Sequence, residues 1–121
     1  MPLDKARPKR GAIWFVKHPT DPPDKLPRPV LIVSLDARNQ NDRADTVLVV
    51  PFTTALRDVP THLHLEPGET GLPRKSALAA ENITVVRKES LIPSRSPLGL
   101  LSETRLHQIA RRVLLAMGFV D

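Results

Sequence analysis

The sequence predicts a mainly β domain of mixed α+β type: a small antiparallel sheet, curled into a partial barrel and closed by one C-terminal α-helix. Three observations carry this prediction. Short apolar runs of Val, Leu and Ile recur along the chain, each bounded by turn-forming residues. Thirteen prolines in 121 residues break almost every candidate helix before residue 100. Beyond residue 100 the apolar spacing changes to that of one helical face. A length of 121 residues with 40% hydrophobic content suits one domain with an ordinary core, so residues 1–121 are read as a single unit.

The elements follow in order. Residues 1–9 form a basic arm containing Lys5, Arg7 and Lys9, expected to be flexible. Ala12-Ile13-Trp14-Phe15-Val16 is the first strand. Residues 17–29 are proline-rich and without periodicity, hence a loop. Residues 30–34 are the second strand and 46–50 the third, with a polar loop or short turn over 36–45. Residues 61–65 alternate strictly, placing Leu63 and Leu65 on one face and His62 and His64 on the other. Pro67, Gly68, Gly71 and Pro73 force a turn before two short strands, 76–80 and 83–86, around Glu81-Asn82. Residues 87–101 are a connection. Ser102 is a natural helix N-cap with Glu103 in the first turn, and Gly118 a natural C-terminal cap. Leu106, Ile109, Ala110, Val113, Leu114 and Met117 share the apolar helix face, expected to pack on the core and to extend, with Phe119, to a dimer contact. Arg105, Arg111 and Arg112 are expected on a solvated face.

Composition narrows the function. Eighteen Lys and Arg against 13 Asp and Glu give a net charge of +5, which favours a polyanion or an acidic protein partner. The absence of cysteine excludes disulfides, thiolate zinc sites and a Cys nucleophile. No apolar stretch reaches the ~18 residues that span a bilayer, and the basic N-terminus lacks a signal peptide's apolar core, so a cytoplasmic protein is expected. Four aromatic residues, Trp14, Phe15, Phe52 and Phe119, are too few for a surface that stacks many bases.

Arg28 is the residue whose setting is most specific. Pro27 and Pro29 hold it extended at the mouth of the second strand. A guanidinium offers a permanent charge and a planar fork of donors suited to phosphate. A phosphate-containing partner is one reading; an ion pair with a nearby carboxylate is the other, and composition alone favours it. His62 and His64 sit at metal-compatible i,i+2 spacing, but no third ligand is evident, so a solvated strand face is expected. His107 is expected to be exposed on the polar side of the helix.

A family resemblance lies in the order of motifs. Arg10-Gly11-x-Ile13-Trp14 is followed by Arg28-Pro29-Val30-Leu31-Ile32-Val33-Ser34 with Asn39, then Val49-Val50-Pro51-Phe52-Thr53-Thr54, Thr61-His62-Leu63, Gly71-Leu72-Pro73-x-x-Ser76, Glu81-Asn82-Ile83 with Lys88, and Leu100-Leu101-Ser102. From about Arg10 to Gly118 the chain resembles the MazF/PemK toxins of type II toxin–antitoxin systems. The resemblance implies an SH3-like barrel with a C-terminal helix, a homodimer, metal-independent and sequence-specific cleavage of single-stranded RNA without a cofactor, and an acidic cognate antitoxin. By position it implies catalytic roles for Arg28, Thr53 and Glu81; the expected RNA contacts are Asn39, Thr54, Asn82, His18 and Lys25, of which His18 lies in the variable loop and matches no family histidine. Two departures stand out. The loop before Arg28 is shorter than in relatives and lacks their Gly-x-Glu-x-x-Gly stretch, and Ala79 stands where some relatives carry an arginine.

Metal-free cleavage needs a base for the ribose 2′-OH, an acid for the leaving 5′-oxygen, and positive charge on the phosphorane. Arg28 suits the last role. Thr53 can donate to a non-bridging oxygen, and Glu81 is the candidate base if burial raises its pKa. His18 is a further acid–base candidate. Two other readings remain open: a catalytically weak RNA- or protein-binding module, and a gyrase-targeting toxin of the same fold. The ending Met117-Gly118-Phe119-Val120-Asp121 does not resemble the Trp-Gly-Ile type ending of such gyrase poisons.

Overall fold

The computed structural model describes residues 6–119. In chain order its elements are β1 (Ala12–Val16), β2 (Arg28–Ile32), α1 (Asp36–Asn39), β3 (Thr46–Thr53), β4 (His62–Leu65), α2 (Pro67–Thr70), β5 (Ser76–Ala79), β6 (Thr84–Arg87), β7 (Gly99–Leu100) and α3 (Glu103–Ala116). Every strand pair is antiparallel, in the order β4-β5-β3-β2-β1-β7, with β6 also on β3. β3 is the strand that curls the sheet. Its first half pairs with β6 and its last two residues, Phe52 and Thr53, pair with Leu78 and Ala77 of β5.

Both faces of the central strands are buried, because alternate residues enter two separate cores. Ile13, Leu31 and Val50 join Leu63, Leu65, Leu78, Leu106 and Ile109 beneath α3. Ala12, Trp14, Val16, Val30, Ile32, Val47, Val49 and Val86 fill the inside of the curl. This two-sided burial explains why β1 to β3 read as continuous apolar runs rather than alternating ones.

The C-terminal helix forms as expected, with Ser102 Oγ accepting the Arg105 N–H at 3.2 Å. Leu106 and Ile109 are buried, each stabilising the fold by about 2 kcal/mol. The apolar stripe then outruns the sheet: Leu114 is 44% exposed and Met117 64%. The polar face is not simply solvated. Arg105 grips Glu69 with Nε at 2.7 Å, and Arg112 Nε donates to the His62 carbonyl at 3.1 Å, so two of the three arginines expected in solvent tie the helix down.

Four local features differ from the sequence expectation. β2 begins at Arg28 itself and β3 runs to Thr53, because the prolines at 29 and 51 sit inside strands rather than beyond them. The segment expected to loop at 66–75 contains α2, started by Pro67 and by Glu69 Oε2 accepting the Glu66 N–H, and ended by Gly71 at φ +82°. Residues 36–39 form α1, not a loop, and Asn39 on it is completely buried. Its Nδ2 donates to the Ser34 carbonyl at 2.8 Å and its Oδ1 accepts the Ser34 hydroxyl, so Asn39 braces the turn and is not an RNA contact. Lastly, the arm is docked over residues 6–9. Arg7 pairs with Asp42, and Gln40 Nε2 donates to the carbonyls of Arg7 and Pro8; residues 1–5 lie outside the described residues. Among the described residues no helix is long and apolar enough to cross a membrane.

Asn39→Ala removes three hydrogen bonds from a buried turn and should cost about 2–4 kcal/mol in urea unfolding. A loss under 1 kcal/mol would show that the brace is dispensable.

Candidate active site

Proline chemistry opens the site. β2 and β3 pair through Ile32–Val49, Leu31–Val50 and Val30–Pro51, and the ladder stops there. The next donor toward β3 would be residue 29, and Pro29 has no N–H to extend the ladder; the nitrogen of Pro51 faces the other edge of β3. The same register continued two residues would set Thr53 opposite Arg28. Instead β3 swings toward β5, and Arg28 and Thr53 border the hollow left between the strands.

This hollow is about 350 Å³. Val16, Val30, Val49 and Val86 line it as apolar floor, and Arg28, Thr53, Asn82, His18 and Asp21 line it as polar groups. Arg28 is exposed, and its guanidinium makes no ion pair or hydrogen bond with any described residue. The carboxylate partner that composition favoured is therefore absent among the described residues. Asp21 is the acidic group in the same hollow, and it is already committed: Oδ1 is 3.3 Å from Lys25 Nζ and Oδ2 accepts the His18 N–H at 3.1 Å. Burial pushes its pKa up, but the Lys25 and His18 contacts outweigh that and hold it lower than usual. Lys25 is thus a loop staple in this conformation rather than a free cation.

Thr53 Oγ1 accepts the Ala55 N–H at 3.1 Å, and no described group accepts its hydroxyl proton. The hydroxyl is left free to donate. Thr54 is exposed beside it and lines a third hollow of about 400 Å³ with Arg28, Phe52, Leu72, Pro73 and Arg74.

Glu81 and Asn82 sit on the 3-10 turn between β5 and β6. Glu81 lines a neighbouring hollow of about 350 Å³ with Arg57, Thr61, His62, Thr53 and Asn82. Thr53, Asn82 and the small Ala79 are shared by this hollow and the one holding Arg28. Both Glu81 oxygens are engaged: Oε1 accepts the Thr61 hydroxyl and Oε2 meets His62 Nε2, each at 2.9 Å. The expectation of a raised pKa is overturned. Burial pushes Glu81 up, but the hydrogen bonds from His62, its own backbone and Thr61, with the His62 charge, hold it below the usual range. An ionised carboxylate only accepts, so Nε2 of His62 carries the proton.

His62 was expected in solvent and is instead 7% exposed in its side chain. Its Nδ1 is buried with no partner. His64 Nε2 turns to the Arg57 carbonyl at 2.8 Å, so the two histidines serve different contacts. Among the described residues no cluster of three or more His, Asp and Glu is placed to hold a metal. His107 is exposed as expected. Sequence reasoning missed Arg57 and Arg74, neither of which carries a motif of its own, and it placed His62 on a solvated face although the residue lies in the Thr61-His62-Leu63 motif.

The PemK-like, MazF-like toxin family of type II toxin–antitoxin systems matches residues 9–117. This chain belongs to that family. It is 30% identical over 112 residues to "Probable endoribonuclease MazF5" of Mycobacterium tuberculosis, covering 93% of this chain and 94% of that one. It is 38% identical over 97 residues to "Probable endoribonuclease MazF" of Mycolicibacterium smegmatis, covering 76% and 81%. A solved mycobacterial endoribonuclease in complex with its cognate antitoxin superposes with a TM-score of 0.74 at 26% identity, covering 94% of this chain and 98% of that one. The curled antiparallel sheet with its C-terminal helix is the MazF-type fold.

The Glu81 contacts make stability pH-dependent. A carboxylate whose folded pKa is depressed stabilises the fold above its unfolded pKa, near ~4.3, and loses that contribution as pH falls through the folded value. Acid unfolding should therefore steepen below about pH 4, and Glu81→Gln should flatten part of that fall. An identical stability–pH curve for Glu81→Gln would remove the linkage.

Proposed function

We propose that this toxin-family endoribonuclease cuts single-stranded RNA, sequence-specifically and without a metal, in the hollow between Arg28 and Thr53. One observation carries the reading: a strand-anchored guanidinium without a carboxylate partner shares a cavity with a threonine whose hydroxyl proton is uncommitted. The ribose 2′-oxygen attacks the adjacent phosphorus while the P–O5′ bond breaks, leaving a 2′,3′-cyclic phosphate and a 5′-hydroxyl. Arg28 meets the charge growing on the phosphorane, and Thr53 donates to a non-bridging oxygen. Glu81 takes the 2′-OH proton as an ionised carboxylate, with His62 and Thr61 fixing its orientation. His18, in the same hollow as Arg28, returns a proton to O5′. Thr54 and Asn82 lie at the cavity walls as RNA contacts.

The exposed end of α3, with Leu114, Met117 and Phe119, serves a homodimer contact. The protein acts in the cytoplasm, and a cognate antitoxin, such as its mycobacterial relative binds, presents an acidic segment that competes with RNA for the basic hollow.

Arg28→Ala should lower RNA cleavage at least ~100-fold, with EDTA present throughout, while circular dichroism and melting stay unchanged. Full cleavage by the folded variant would remove Arg28 from the mechanism; tight RNA binding without cleavage by the wild type would make the protein a binding module. His18→Ala should lose about 10²-fold or more on ordinary RNA and recover on RNA carrying sulfur at the bridging 5′ position, a leaving group that needs no proton. Equal loss on both substrates would assign the acid elsewhere.

A further inference from the structure

Of the twelve arginines, seven are spent on this chain's own groups. Six bind carboxylates, hydroxyls or carbonyls, and Arg95 stacks over Phe15 at 4.6 Å. Five are unpartnered among the described residues: Arg28, Arg43, Arg57, Arg74 and Arg111. Three of those five line hollows that have Thr53 in common.

The distribution around Thr53 is ordered. Arg57 lies in the hollow toward Thr61 and Glu81, Arg74 in the hollow toward Leu72 and Pro73, and Arg28 between them in both its own hollow and that of Arg74. The carboxylates that might neutralise them are otherwise engaged: Asp21 by Lys25, Glu81 by Thr61 and His62. The hollow of Arg74 contains no acidic residue.

We propose that Arg57 and Arg74 bind the backbone phosphates on either side of the scissile one. Single-stranded RNA then runs from the Leu72–Arg74 lip, over Thr53, to the Arg57–Thr61 lip. The inference rests on the RNA-cleaving reading above and adds the path of the strand. Beside Arg74 the walls are Pro29, Phe52, Leu72 and Pro73, an apolar ledge that suits the flat face of a base whose phosphate meets the guanidinium. Beside Arg57 the wall includes Asn82, whose side-chain amide is free to hydrogen-bond a base edge, while Glu81 stays with Thr61 and His62. Alternating phosphate and base requirements fit an unpaired strand; a duplex keeps its bases stacked inside, and an acidic peptide offers no flat apolar face to the ledge.

The test reads phosphate contacts directly. A short random-sequence pool of single-stranded RNA with 2′-O-methyl riboses binds without being cut, and its affinity is titrated from ~50 to ~200 mM salt. Each phosphate contact on a single strand contributes about −0.7 to the slope of log K against log[salt]. Arg57→Gln and Arg74→Gln should each reduce the slope by about 0.7, and the double variant by about 1.4. The double variant Arg43→Gln/Arg111→Gln removes the same charge outside the hollows and should leave the slope unchanged. Equal slopes for the two double variants overturn the proposal. So does a changed cut-site sequence on natural RNA with the slope intact, because the arginines would then read bases. Either outcome leaves Arg28-dependent cleavage standing, whereas a wild-type protein that cuts no RNA defeats the catalytic reading and not the slope measurement.

Discussion

Pro29 turns its nitrogen toward β3 at the point where the β2–β3 ladder would continue, and it has no hydrogen to donate. With its ladder ended, β3 finds its next partners on β5, and the two central strands part. The gap does not collapse, because the valines beneath it belong to a core already packed on its other side. Arg28 therefore stands at the end of a strand that is held in register by β1 and β3 and supported from both faces. The backbone that carries this cation is thereby fixed, while the exposed guanidinium is left without a described partner to compete with a phosphate. The apolar floor also lowers the local dielectric, which strengthens whatever the guanidinium meets.

Net charge alone understates how selective the electrostatics are. A charge of +5 describes a mildly basic surface. The fold then spends Arg105 on Glu69, Arg112 on the His62 carbonyl, Arg7 on Asp42 and the buried Lys88 on the carbonyls of Arg38 and Asn41. Those groups hold α3, the arm and α1 in place. Three of the five unpartnered arginines, Arg28, Arg57 and Arg74, line the hollows around Thr53, and the carboxylates nearby are internally bonded. Pairing within the fold, rather than the sum over the chain, determines where a polyanion finds positive potential.

Much of this was legible in the chain, and the failures have a common cause. Strand positions followed from short Val, Leu and Ile runs because central strands buried on both faces must be continuous in apolar character. The helix followed from spacing because its stripe meets one core. Arg28 and Thr53 stood out through their motif setting, and they do border one cavity. What failed depended on contacts far apart in sequence. Asn39 reads as a polar loop residue until Ser34 is folded against it. His62 reads as a solvated strand position until Glu81, nineteen residues on, reaches its Nε2. The same bond reversed the pKa expected for Glu81, since burial was the visible half of the balance and the bonding partners were not. Arg57 and Arg74 carry no motif; only their place at hollows that Thr53 also lines distinguishes them from the equally unpartnered Arg43.

The state of Glu81 decides how the catalytic work divides. A carboxylate held ionised by Thr61 and His62 is always ready to accept a proton near neutral pH, but a depressed pKa makes it a weaker base than a desolvated one. General-base assistance, ~10² to 10⁴ at its best, therefore falls toward the low end of that range. Donors that meet a developing phosphorane contribute roughly 10² to 10³ each, and two candidates border one cavity whose carboxylate, Asp21, is already held by Lys25 and the His18 N–H. In the mechanism proposed above, the larger share belongs to Arg28 and Thr53. In that mechanism Glu81 takes the proton of a 2′-OH that sits where its hollow meets that of Arg28, at Thr53 and Asn82, and the guanidinium in its own cavity makes the greater contribution.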